Sequence, residues 1–265
     1  MGSERGVSHV QDLMGTVFTI SVFDDVPAGI ISAVFDWLRS VESTFSTFLD
    51  DSEISRFGRG EIDLDGLSSD VRHVLARCAE LEDSTDGRFS IRSTRPTDGS
   101  RIDPAGFVKG WSVDEAALQL QAEGIERFVI NAGGDVLCVG APPEGGRWSV
   151  GIRHPESLES LGAVLNVTGG AVATSGTYLR GDHIWGSRVG SGRITSVTVV
   201  GPSLGVADAL ATAVFGDQAA SLAWLSRFPE YGVLLMTADH RLQWTPSLDG
   251  LVSASPDTAP RLPAR

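Results

Sequence analysis

The sequence predicts an α+β domain, on three observations: helical spacing dominates the first half, short strand-like runs dominate the second, and the two kinds of segment are grouped rather than alternated. No internal repeat, low-complexity block or interdomain linker divides the 265 residues, a length that buries a sizeable core in one unit. The expected organisation is a flexible leader over 1–13, one domain over 14–252 and a disordered, Pro-rich tail over 253–265.

Each element follows from its spacing. Residues 15–25 (GTVFTISVFDD) alternate apolar and polar side chains as a half-buried strand does. Ile30, Ile31, Val34, Trp37, Leu38 and Val41 recur at helical intervals, as do Val71, Val74, Leu75, Cys78 and Leu81 behind Ser69 as the expected cap. Between these helices, residues 45–57 (FSTFLDDSEISRF) read as a surface connection. Residues 85–101 form a loop feeding 103–110 (DPAGFVKG), and a helix is expected from 111 to 123, stopped by Gly124. Strands follow at 127–139, 148–153, 163–168 and 194–200. A helix pair at 206–215 and 218–228 then precedes a last strand at 232–237.

Composition narrows the partners. A net charge of −13 repels nucleic acid and anionic membranes, and no Lys/Arg-rich run makes a local exception. No apolar run reaches the ~18 residues of a membrane span, and no basic stretch leads into an apolar one near the start, so the expectation is a cytoplasmic protein without membrane insertion. Cys78 and Cys138, far apart and without metal-ligand spacing, read as small buried hydrophobes.

Four segments carry candidate chemistry because each lies where a strand ends or a helix begins. Residues 103–110 offer glycines, helix-opening N–H groups and the charge of Lys109, or simply a tight helix entry. Residues 131–135 (NAGGD) pair glycines with Asp135, to approach a ligand closely or to form a bulge. Residues 173–178 (ATSGTY) cluster Thr174, Ser175 and Thr177 around Gly176 as neutral donors for phosphate oxygens, with His183 nearby. On the helix at 206–215, Asp208 and Thr212 share a face. They are either a pair of hard oxygen ligands for Mg²⁺, or a capping acid and a hydroxyl bonded back to a carbonyl.

In order and wording these segments resemble the ApbE family, the FAD:protein FMN transferases. The resemblance is carried by MGT at 14–16, FSTFLDDSEISRF at 45–57, DPAGFVKGWSVDEAA at 103–117, NAGGDV at 131–136, WSVGIRHP at 148–155, AVATSGTY at 171–178 and ADALATAVF at 207–215. It implies a single T-fold-like domain of mixed or antiparallel sheets packed by helices, with an FAD cleft between sub-lobes. It implies an enzyme that takes FAD as substrate and Mg²⁺ as cofactor, attaches FMN to a Thr or Ser of an acceptor flavoprotein and releases AMP. Asp208, Thr212 and the carbonyl of Ala105 would hold the metal. Met14, Phe48, Asp103, Gly106, Lys109, Gly133, Gly134, Asp135, Thr174, Ser175, Gly176, Thr177 and His183 would line the dinucleotide site, with Lys109, Asp208 and His183 taking part in catalysis. Where the family has Asp-Pro-Arg-Thr-Gly after the histidine, this chain has Gly186-Ser187-Arg188-Val189-Gly190. A Mg²⁺-dependent FAD pyrophosphatase giving free FMN and AMP, and an FAD-binding protein without turnover, are the alternatives.

Overall fold

The structure, a computed structural model, describes residues 6–92, 102–154, 157–176, 188–189, 192–216, 223–239 and 241–253. Among these, a large sheet runs in the order β1 (Val7–Leu13), β2 (Thr16–Val22), β3 (Phe128–Ala132), β4 (Asp135–Val139), β7 (Gly170–Gly176), β9 (Gly192–Gly201), β10 (Gly232–Thr237) and β11 (Leu242–Trp244), with β8 (Arg188–Val189) pairing β9 off that path. A small sheet orders β12 (Val252–Ser253), β6 (Ser157–Val167) and β5 (Trp148–His154). Every pairing is antiparallel.

The helices include α1 (Ile30–Phe45), α2 (Glu53–Gly58), α3 (Ser69–Ser84), α4 (Ala105–Ala122) and α5 (Leu204–Gly216), with short 3-10 turns at Leu64–Gly66 and Pro246–Leu248. Strand alternation assigns the two faces of the large sheet. Leu137, Ala171, Ala173, Val197, Val199, Val233 and Leu235 join the helices in one core. Their neighbours Val136, Cys138, Val172, Val200, Leu234 and Met236 pack with Trp148, Val150, Ile152 and Leu165 of the small sheet in a second. The central strands therefore lie between two layers, which is why 136–138 and 233–236 are apolar without interruption.

Several elements depart from the sequence expectation. Val7–Leu13, expected as flexible leader, is the edge strand β1, paired with β2 from Val7↔Val22 to Leu13↔Thr16. Its polar residues mislead because only one side of this strand meets the core. The segment 127–139 is a hairpin rather than one strand, turning at Gly133 (φ 65°) and Gly134 (φ 105°), a two-residue turn with both residues left-handed. Likewise Met14 (φ 52°) and Gly15 (φ 71°) form the tight β1–β2 turn. Residues 45–57 contain α2, capped by Ser52, whose hydroxyl accepts from Ser55 N at 3.1 Å and donates to Ser46 O at 2.6 Å. Ser68, not Ser69, caps α3, accepting from Val71 N. Of the expected helix at 218–228, residues 218–222 lie outside the described ones, 223–225 are helical and 226–227 form a turn; the tail from 254 also lies outside the described residues.

From Ala105 on, the segment 103–110 is not a loop before a helix but the first turns of α4, with Pro104 at its N-cap. A Cβ on Gly110 would meet Leu204 O at 2.5 Å, and one on Gly205 would meet Trp111 N at 3.0 Å, so α4 and α5 cross with their backbones in contact. Cys78 and Cys138 are free and buried, and burial pushes both thiols up to about 12. No helix among the described residues is long and apolar enough to cross a membrane.

Candidate active site

The β1–β2 turn, the β3–β4 turn, the end of β7 and the start of β9 lie at one end of the large sheet, as the registers Phe18↔Ala132, Val136↔Val172 and Gly176↔Ser196 require. On the helix face of that end, Asp135 projects from the start of β4 between α4 and α5. Lys109 of α4 donates to Asp135 Oδ2 and stands 2.8 Å from Asp208 Oδ2 of α5. Asp135 Oδ1 accepts from Thr174 N at 2.8 Å. Asp208 Oδ2 is buried, and its contact among the described residues is the ion pair with the Lys109 ammonium, without an aligned hydrogen bond.

One helical turn on, Thr212 Oγ1 lies 3.4 Å from Ser175 Oγ. A Cβ on Gly106 would come 3.9 Å from Thr212 Oγ1, which puts the first turn of α4 beside this hydroxyl. Two carboxylates thus face one ammonium in a largely buried place. Burial pushes the Asp135 carboxyl up to about 6, and the charge of Asp208 adds to the rise against the pull of Lys109. Burial alone would lower Lys109, but the charges of Asp208 and Asp135 outweigh it and hold the ammonium protonated well above its ordinary value. Two carboxylates on one ammonium, with a buried Asp208 oxygen that accepts no aligned hydrogen bond and a hydroxyl one turn away, are a donor set of the hard kind that a small divalent cation takes. Ala105 opens α4 beside them.

Next to the cluster is a cavity of about 290 Å³ lined by Met14, Glu42, Phe45, Phe48, Asp103, Ala105, Val108 and Lys109 among others. Phe48 presents its ring at 91% exposure on the rim. Met14 N donates to Glu42 Oε1 at 2.8 Å, fixing the turn against α1. Asp103 Oδ1 accepts from Ala105 N at 3.1 Å, tying down the entry to α4. The apolar spacing of α1 gave no sign that Glu42 belongs here.

The expected site residues therefore divide. Met14, Phe48, Asp103, Ala105 and Lys109 share the cavity; Asp135, Ser175, Asp208 and Thr212 form the polar cluster beside it, with Gly106 next to Thr212. Gly133, Gly134 and the Thr174 side chain lie on the other face, where they line a larger cavity of about 680 Å³ against β5. There Thr174 Oγ1 pairs with Thr198 Oγ1 at 2.9 Å. Gly176 ends β7. Thr177 and His183 fall outside the described residues.

Fold and cluster together define a three-layer α+β protein whose buried charges converge, with a ligand-sized cavity, at one end of an antiparallel sheet. The chain belongs to the ApbE family, whose model matches residues 14–98 and 92–235. An FAD:protein FMN transferase of Vibrio cholerae is 33% identical over 131 residues, 44% of this chain and 39% of that protein. One of Rhodobacter capsulatus is 34% identical over 155 residues, 54% of this chain and 29% of that protein. The matched stretches thus span well under half the length of these two relatives. The crystal structure of the ApbE protein of Thermotoga maritima superposes with a TM-score of 0.76 at 18% identity, covering 93% of this chain and 99% of that one, a likeness of fold.

Proposed function

We propose that this chain is an FAD:protein FMN transferase that moves FMN from FAD to a Thr or Ser hydroxyl of an acceptor flavoprotein, with Mg²⁺ bound and AMP released. The observation that carries the reading is the pair of buried carboxylates, Asp135 and Asp208, on one ammonium, with Thr212 one helical turn from Asp208 and a cavity with an aromatic rim beside them. That the Vibrio and Rhodobacter relatives are FAD:protein FMN transferases supports it.

In this reading Asp208, Thr212 and the Ala105 carbonyl would hold the cation, which would supply Lewis acidity to draw charge from a diphosphate. Lys109 keeps Asp135 and Asp208 together and aimed, so that the carboxylate does not have to be reorganised when the dinucleotide arrives. Met14 and Phe48 give apolar surface to a flat ring system. The acceptor oxygen forms a bond to the phosphorus of the FMN half, the bridging P–O bond breaks toward AMP, and the hydroxyl proton passes to a base. His183 is proposed as that base on the family resemblance alone.

In-gel flavin fluorescence of cells with and without the chain, together with mass measurement of AMP from FAD and Mg²⁺, tests the proposal. A fluorescent band that depends on the chain is expected. Free FMN with AMP and no labelled protein would instead mark a pyrophosphatase. Asp208→Ala is expected to lower AMP release by about 10²–10³-fold.

A further inference from the structure

The α5 helix carries both side chains proposed to hold the cation, yet its N-terminus is secured from another helix. Asp114 of α4 accepts from Leu204 N at 2.8 Å, from Gly205 N at 2.9 Å and from Ser203 Oγ at 2.8 Å. Ser203 Oγ in turn accepts from Val206 N at 3.3 Å, and Ser203 O from Ala207 N at 3.0 Å. The N–H groups of Leu204, Gly205 and Val206, which open α5 and have no partner within the helix, are all satisfied, two of them by a carboxylate from α4 and one by Ser203 Oγ.

This clamp sits on one side of the Gly110–Gly205 crossing, and the Lys109–Asp208 contact sits on the other. With the backbones touching at the crossing, sliding of α5 along α4 or rotation about its own axis is opposed at Asp114. Either motion would carry Asp208 and Thr212 away from Lys109, Gly106 and Ser175. A cap supplied from the same helix would fix the end of α5 but not its register on α4.

We infer that Asp114 is a positioning residue that sets the register of α5 on α4 and so holds Asp208 and Thr212 at the separation a divalent cation needs. The inference rests on the cation site proposed above. Asp114 itself lies away from that site, lining a cavity with His73, Arg77 and Gly170.

The test is Mn²⁺ binding by the full chain without FAD, followed by electron paramagnetic resonance, with Tm recorded for each variant. Asp114→Ala is expected to weaken Mn²⁺ binding by about tenfold to a hundredfold, and Asp114→Asn, which keeps one acceptor oxygen, by less. The control is Val71→Ala, a cavity made in α3 away from the crossing, which lowers Tm but leaves Mn²⁺ affinity where it was. Wild-type Mn²⁺ affinity in both Asp114 variants, with only Tm reduced as in the control, would overturn the inference. Should Asp114→Ala not fold, Asp114→Asn decides by the same reading. Absence of Mn²⁺ uptake by the wild-type chain would instead sink the cation site, and the inference with it.

Discussion

Thr174 and Ser175 are adjacent on β7, yet they belong to different worlds. Ser175 turns to the helix face, where it meets Thr212 among buried charges; Thr174 turns to the small-sheet face, where it bonds Thr198 in a cavity whose lining includes one charged residue, Arg153. The same division separates Asp135 from Gly133 and Gly134 across one hairpin turn. A hydroxyl-rich motif in a strand is thus two half-motifs, and side-chain alternation decides which half can reach a phosphate or a metal.

The largest effect should come from removing the charge that holds the helix face together. Lys109→Met leaves Asp135 and Asp208 buried side by side without a counter-ion, and is expected to cost roughly 3–5 kcal/mol by urea unfolding, a penalty of the size known for breaking a buried pair. The double variant Lys109→Met/Asp135→Asn should recover part of that loss; if it recovers none, the acids do not strain against each other. Next, Gly110→Ala forces a methyl group into Leu204 O and should lower stability by about 1–3 kcal/mol, with Mn²⁺ affinity falling alongside because the crossing carries both.

The smallest effects sharpen the comparison most. Thr174→Val removes one hydroxyl pair on the small-sheet face, costs about 0.5–1.5 kcal/mol and leaves Mn²⁺ affinity unchanged. Ser175→Ala costs no more in stability but should alter Mn²⁺ affinity, since its hydroxyl stands next to Thr212. Equal metal affinities in these two neighbours would erase the distinction between the faces.

Much of this was legible in the sequence, for identifiable reasons. The α1 and α3 stripes, β10 and the shared face of Asp208 and Thr212 follow from spacing alone. Strand β7 was hidden because Ala-Thr-Ser-Gly has the composition of a loop, although the layers on both sides make it central. The glycines of 103–110 left a phosphate-binding turn and a tight helix entry both open, and spacing gave no hint that Gly110 lets another helix approach. Asp114 was invisible because an acid in the run WSVDEAA resembles any solvated helix residue. Only the third dimension brings Ser203 and α5 to it.

The tip at Met14 and Gly15 has a consequence for how this family can vary. It is a connection of minimal length, so inserting a single amino acid there would shift β1 by one place against β2. Leu13 would swing out to water, and Gln11 would leave its bond with Arg39. Point changes in β1 should be tolerated in evolution far more readily than insertions or deletions at the tip, since only the latter turn the whole strand inside out.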